Sequence, residues 1–94
     1  MIRTLLVLLT LVTLAGCGDS ITTEQYIQRA TEALDKSEYA AATIELKNAL
    51  RQDPNSAQAR WLLGKAYLNT NDMPSATKEL QQALDLGWPP DDIQ

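Results

Sequence analysis

The chain has 94 residues, room for about one small domain, with twelve acidic and eight basic side chains and a net charge of −4. It has no His and no Phe, and Cys17 is its single cysteine. Without His the commonest general base and metal ligand are missing, one Cys forbids an internal disulfide, and a mildly acidic chain without a basic stripe argues against nucleic-acid binding.

The first element is apolar. Met1-Ile2-Arg3 supplies one positive charge, and Leu5 to Leu14 is then interrupted only by Thr10 and Thr13, the layout of a secretory signal. The run is shorter than the ~20 residues a lasting membrane-spanning helix needs. It has no polar face, which argues against a buried core helix. Leu14-Ala15-Gly16-Cys17 resembles the bacterial lipobox, Leu then two small residues and Cys. The resemblance implies thioether lipidation of Cys17, cleavage before it and acylation, with palmitate or a similar chain, of the new amino group. An ordinary signal peptide with an incidental Cys is the alternative. On the lipobox reading, residues 1–16 are a lipoprotein signal peptide and 17–22 the lipidated Cys and tether. Several acyl chains hold a membrane far better than the single chain whose binding is marginal. Asp19 stands one place after the position where Asp retains lipoproteins in the inner membrane, Gly18 here. The resemblance therefore leans toward an outer-membrane anchor facing the periplasm. Removing Met1–Gly16 takes away Arg3 and no acid, leaving 7 basic and 12 acidic side chains, a charge of −5.

Four helices are predicted next, over residues 23–36, 39–51, 57–70 and 73–86. Thr22 or Thr23 is placed to cap the first, with Glu24 and Gln25 in its opening turn. Asp53-Pro54-Asn55-Ser56 stops the second and caps the third. Asn71-Asp72-Met73-Pro74 is a turn with Pro in the first turn of the fourth helix, and Gly87 ends that helix. Ile44, Leu46 and Leu50, then Leu80 and Leu84, fall at helical spacing. Small residues at 30, 42, 64 and 76 let paired helices approach closely.

The chain also repeats itself. Leu34, Ala42, Glu45, Leu46, Ala49 and Leu50 recur as Leu68, Ala76, Glu79, Leu80, Ala83 and Leu84, each pair 34 residues apart. Ala30 falls opposite Gly64, and Tyr39 opposite Met73. A repeat of this period signals a solenoid, and these residues resemble the tetratricopeptide repeat family. Trp61-Leu62-Leu63-Gly64, Tyr67, Ala76, Leu80 and Ala83 follow the family order in the second repeat; Ala30, Tyr39, Ala42, Leu46, Ala49 and Pro54 follow it in the first. Three positions depart: Arg29 and Ala33 stand where Leu and Tyr are usual, and Trp61 comes one residue later than the family aromatic. The implied fold is all-α, antiparallel helical hairpins of an α-solenoid, with repeats at 23–56 and 57–90 and residues 91–94 as a tail or the start of a further repeat. The implied packing residues are Ala30, Ala42, Leu46, Ala49, Gly64, Tyr67, Ala76, Leu80 and Ala83.

Longer stretches narrow the resemblance. Glu24 to Ala30, Ile44 to Leu50, Ala59 to Gly64 and Ala83 to Asp91, taken with Leu14 to Ser20, resemble the start of the PrsT-type tetratricopeptide lipoproteins of the PEP-CTERM/exosortase system, which are associated with exopolysaccharide loci. Members are much longer, so this chain is expected to be a fragment or a truncated form. The implied function is a membrane-anchored protein interaction scaffold of the cell envelope, not an enzyme and without cofactor or metal. The alternative is a small lipoprotein assisting assembly of a pilus or an outer-membrane machine.

In the family the first helix of each hairpin lines a concave groove. By position that implies Glu24, Ile27, Thr31 and Asp35, then Gln58, Trp61, Lys65 and Asn69. Trp61, Lys65 and Asn69 share one helix face. A Trp beside a Lys and an Asn suits an extended peptide or a sugar ring, but packing of Trp61 between repeats, with Lys65 solvated, is the favoured reading. Tyr26, Tyr39 and Tyr67 are read as packing residues, and Asp91-Asp92 as a solvated turn. Repeats bury their apolar faces against neighbours, so the flank beyond the fourth helix is expected to need a cover: a second copy, a partner, the membrane or, as the favoured reading, further sequence.

Overall fold

A computed structural model of the chain describes residues 20–90. The apolar segment, Leu14, Ala15, Gly16, Cys17 and the Asp91-Asp92 pair lie outside the described residues. Four helices follow one another: α1 (Thr23–Asp35), α2 (Tyr39–Gln52), α3 (Ala57–Asn69) and α4 (Met73–Asp85). Each boundary falls within one residue of its predicted place, because the local capping chemistry is strong.

Thr22 opens α1 with a reciprocal box: the Gln25 N–H donates to Thr22 Oγ1 at 3.1 Å, and the Thr22 N–H donates to Gln25 Oε1 at 2.8 Å. Ser56 caps α3 through the Ala59 N–H at 3.1 Å, and Asp72 caps α4 through the Ser75 N–H at 3.3 Å, with Pro74 in the first turn. Three helices end alike. The Glu38, Asp72 and Trp88 N–H groups donate back to Ala33, Tyr67 and Ala83 carbonyls, and the residue before each, Ser37, Asn71 or Gly87, has positive φ. This is the Schellman ending, which a left-handed residue makes possible. It reverses the chain within three residues between α1 and α2, and again between α3 and α4.

Each hairpin is therefore antiparallel. The two stack through α2 and α3, and α1 also touches α3, whereas α2 and α4 do not touch. The first helices of the hairpins thus lie side by side on the inner side of the stack. The core is Ile27, Ala30, Ala33, Ala42, Leu46, Ala49, Ala59 and Leu63, with Tyr26, Leu34, Leu50, Leu62 and Tyr67 packed around it. Ala30, Ala42 and Ala76 are fully buried. Gly64 sits closer still to the partner helix, since a Cβ there would lie 2.6 Å from both Cγ and Cδ2 of Leu80. The start of α1 is tied to the end of α2, where Thr23 Oγ1 donates to Gln52 Oε1 at 2.9 Å and Gln52 Nε2 donates to the Ile21 carbonyl at 2.7 Å.

Not every apolar residue at helical spacing is inside. Ile44 is 61% exposed and Leu84 52% exposed. Ile44 lies on the side of α2 opposite Ala42, Leu46 and Ala49.

Candidate functional site

The groove residues of α1 divide. Glu24, Thr31 and Asp35 are exposed along one stripe. Ile27 is instead buried, 8% exposed, and belongs to the core. It lies about 60° round the helix axis from Glu24, on the side packed against Ala59 and Leu63 of α3. Thr31 Oγ1 donates to the Ile27 carbonyl at 2.9 Å, the local back-bond by which a helical Thr satisfies its hydroxyl.

On α3, Gln58, Lys65 and Asn69 are exposed on the corresponding stripe. Asn69 Nδ2 donates to the Lys65 carbonyl at 2.9 Å, which holds the amide along the helix. Trp61 borders that stripe and is half-buried. Its ring meets Trp88 with centroids 6.4 Å apart and planes tilted by 34°, within the range of favourable aromatic pairs. The two residues are brought together by the Schellman turn after α4, which folds Trp88 back toward α3. The inner side therefore presents acids from α1, and amides and a lysine from α3, with an aromatic pair at its edge.

Arg60 was not apparent as a site residue from the sequence. It occupies the position where the family carries its aromatic, and its guanidinium does different work. Nη1 donates to Glu79 Oε1 at 2.8 Å, and Nε and Nη2 donate to the Pro54 carbonyl at 3.3 and 3.1 Å. One side chain thus joins α3, α4 and the loop between the hairpins. Glu79 is the one charged residue among the buried positions of the described chain, at 7% exposure. Glu45, its counterpart one repeat earlier, is half-buried and faces no such arginine, because Tyr26 holds the position equivalent to Arg60. A cleft of about 220 Å³ beside this pair is lined by Pro54, Asn55, Arg60, Gln82, Asp85 and Leu86.

The tyrosines are all half-buried. Tyr26 lies under the Arg29 guanidinium, 5.9 Å from ring centroid to Cζ, and the Tyr39 hydroxyl donates to Ser37 Oγ at 3.4 Å. Among the described residues no group of three or more Cys, Asp or Glu side chains is arranged to hold a metal ion, and no helix is long and apolar enough to cross a membrane.

No curated protein matches the chain. The profile of the family described as tetratricopeptide repeat matches residues 27–89, more than half of the sequence and all of α2, α3 and α4. Tetratricopeptide repeats generally mediate protein–protein interactions, and their fold is typically a non-catalytic scaffold. Two stacked helical hairpins and a profile match spanning both of them lead to one conclusion: the chain belongs to the tetratricopeptide repeat family.

Proposed function

We propose that the protein is a lipid-anchored interaction scaffold of the bacterial cell envelope, held in the membrane through Cys17 and engaging protein partners along the inner side of α1 and α3. The observation that carries the interaction part is the exposed stripe of Thr31, Asp35, Gln58, Lys65 and Asn69, bordered by the Trp61–Trp88 pair. Its hydroxyl, single acid, two amides and single lysine suit the backbone and polar side chains of an extended peptide. The anchoring part rests on Leu14-Ala15-Gly16-Cys17 placed directly after an apolar run. The closing Gly87-Trp88-Pro89-Pro90 and the opening Glu24 to Ala30 favour service in a PEP-CTERM/exosortase-linked exopolysaccharide system over pilus or outer-membrane machine assembly.

A deletion strain complemented with wild type, Cys17→Ser or Lys65→Glu tests this reading. Secreted exopolysaccharide should fall on deletion, return with wild type and stay low with either variant. Unchanged exopolysaccharide in the deletion strain would remove the system assignment. Full rescue by Cys17→Ser would remove the need for the anchor.

A further inference from the structure

The cleft between the end of α4 and the loop that enters α3 has a counterpart in the first repeat, and the two are built differently. Its lining residues Pro54, Asn55, Arg60, Gln82, Asp85 and Leu86 correspond, 34 residues earlier, to Ser20, Ile21, Tyr26, Asn48, Arg51 and Gln52. In the first repeat the polar groups at this place satisfy one another. The Arg51 guanidinium donates to Asn48 Oδ1. The Gln52 carboxamide accepts from Thr23 Oγ1 and donates to the Ile21 carbonyl. The second repeat has neither tie. Leu86 and Ala57 stand where Gln52 and Thr23 stand in the first and cannot bridge helix to loop, and a cleft of about 220 Å³ lies there instead.

Asp85 takes the place of Arg51, and a carboxylate has no proton to give Gln82. Gln82 Oε1 is shut away from water without a hydrogen-bond partner, so the fold bears the desolvation of that acceptor. Asp85 is exposed. Its Oδ1 accepts from Gln81 Nε2 at 3.1 Å, which leaves lone pairs free on the carboxylate. The cation already at the cleft is committed elsewhere: Arg60 Nη1 donates to Glu79, and Nε and Nη2 donate to the Pro54 carbonyl. Glu79 cancels Arg60, and the charge of Asp85 remains. Lys78, one turn before Gln82 on α4, is exposed and is not part of the lining. An anion entering here would face two carboxylates. What the second repeat lacks is the group that the first supplies from within, a guanidinium on the amide oxygen.

We infer that this cleft is a binding site for the guanidinium of an arginine side chain carried by a polypeptide. Two of its N–H groups fork onto the Asp85 carboxylate. A third meets Gln82 Oε1 as that flexible carboxamide turns outward, and the methylene stem lies between Pro54 and Leu86. The volume of about 220 Å³ suits one long side chain, whereas pockets for drug-sized ligands start at about 300 Å³. Further stacking does not close the site. Arg51 and Gln52 are exposed although α3 is stacked on their repeat, so a hairpin stacked on α4 in the same way leaves Asp85 and Leu86 open. The groove stripe of Gln58, Lys65 and Asn69 plays no part, and either reading can fail alone.

The test is an NMR titration of the isotope-labelled full chain, in mild detergent, with the blocked peptide acetyl-Gly-Arg-Gly-amide and its citrulline and lysine analogues. The arginine peptide should shift the Gln82 carboxamide and the Asp85 and Leu86 amides saturably. Citrulline keeps the shape without the charge, and lysine keeps the charge without the fork; each should bind about tenfold more weakly. Asp85→Asn, at an exposed position, should weaken binding about tenfold with helix content unchanged, and Lys65→Glu should leave it unaltered. Asp85→Arg restores the pairing of the first repeat, so it should abolish binding and raise the melting temperature. Absence of saturable shifts, equal binding of the citrulline peptide, or undiminished binding by Asp85→Asn overturns the proposal. So does free arginine binding more tightly than the blocked peptide, which would make the amino acid itself the ligand. A concentration-dependent dimer that Asp85→Asn dissolves would identify a second copy as the source of the arginine, and peptide binding by a monomer would identify another polypeptide segment; both support the site.

Discussion

Arg60 and Glu79 stand nineteen residues apart in sequence and meet at 2.8 Å, the guanidinium closing over a carboxylate that the packing of α4 has taken out of water. Glu79's side chain is 9% exposed and Arg60's 20%. Arg60 also holds the Pro54 carbonyl, so a single contact sets the seat of α4 and the path of the chain between the hairpins. Removing the cation leaves an almost buried charge without a partner. Arg60→Met is expected to destabilise the fold by about 2–3 kcal/mol, at the low end for a buried pair because Arg60 is partly solvated. The double variant Arg60→Met with Glu79→Met should recover much of that loss, since both desolvated charges are gone. Urea unfolding of the four members of this cycle gives the coupling. Additive losses would mean that the two side chains act independently.

Gly64 is a steric requirement of the α3–α4 crossing. Gly64→Ala gains about 1 kcal/mol in helix propensity but drives a methyl group onto Leu80 Cγ and Cδ2. Gly64→Val adds more bulk to the same contact. The expected order of melting temperature is wild type, then Ala, then Val, with Val lower in stability by roughly 2–3 kcal/mol. An Ala variant more stable than wild type would show that Leu80 turns away without loss.

Ala42 and Ala76 are fully buried at equivalent points of the two hairpins. Leu at either place overpacks the crossing and should cost roughly 1–3 kcal/mol. Melting temperatures unchanged in both variants would contradict the 34-residue register drawn through these positions.

Trp61 and Trp88 should be visible as a pair. Two indoles 6.4 Å apart couple in the near-ultraviolet, so Trp88→Ala should change the near-ultraviolet dichroism by more than the loss of one chromophore. It should also lower stability by about 0.5–1.5 kcal/mol beyond the lost apolar area. A difference spectrum equal to that of an isolated tryptophan would separate the rings.

Cys17→Ser tests the lipobox without touching the repeats. The variant is expected to accumulate as unprocessed precursor, to take up no alkyne-palmitate in metabolic labelling and to keep its helix content by far-ultraviolet dichroism. Mature, lipid-labelled protein from this variant would dismiss Cys17 as the acceptor.

Much of the architecture was legible in the residues because it is written in short-range chemistry. Thr22, Ser56, Asp72 and Gly87 act on N–H and C=O groups within one turn, so helix limits follow from spacing alone. The 34-residue recurrence of Ala42 and Leu46 as Ala76 and Leu80 is likewise visible without any fold, and it carries the all-α hairpin reading. Ser37 was harder to see. Its left-handed φ of 60° is set by the closure of the turn and not by a residue that prefers it.

The tertiary structure decided which of several equivalent residues does what. Ile27 and Trp61 hold the same repeat position, yet Ile27 lies in the core while Trp61 faces Trp88, because α3 lies across the first residue and no described helix lies across the second. Leu50 and Leu84 are identical residues in identical registers, one half-buried and the other 52% exposed, for the same reason. Glu45 and Glu79 differ because only one meets an arginine. A repeat specifies its own hairpin through local contacts, but burial depends on the neighbour that comes to rest on it. The sequence of this protein determined its helices, its period and its close-packed alanines. Only the stacking of the hairpins decided which apolar and charged side chains are closed in and which are left exposed.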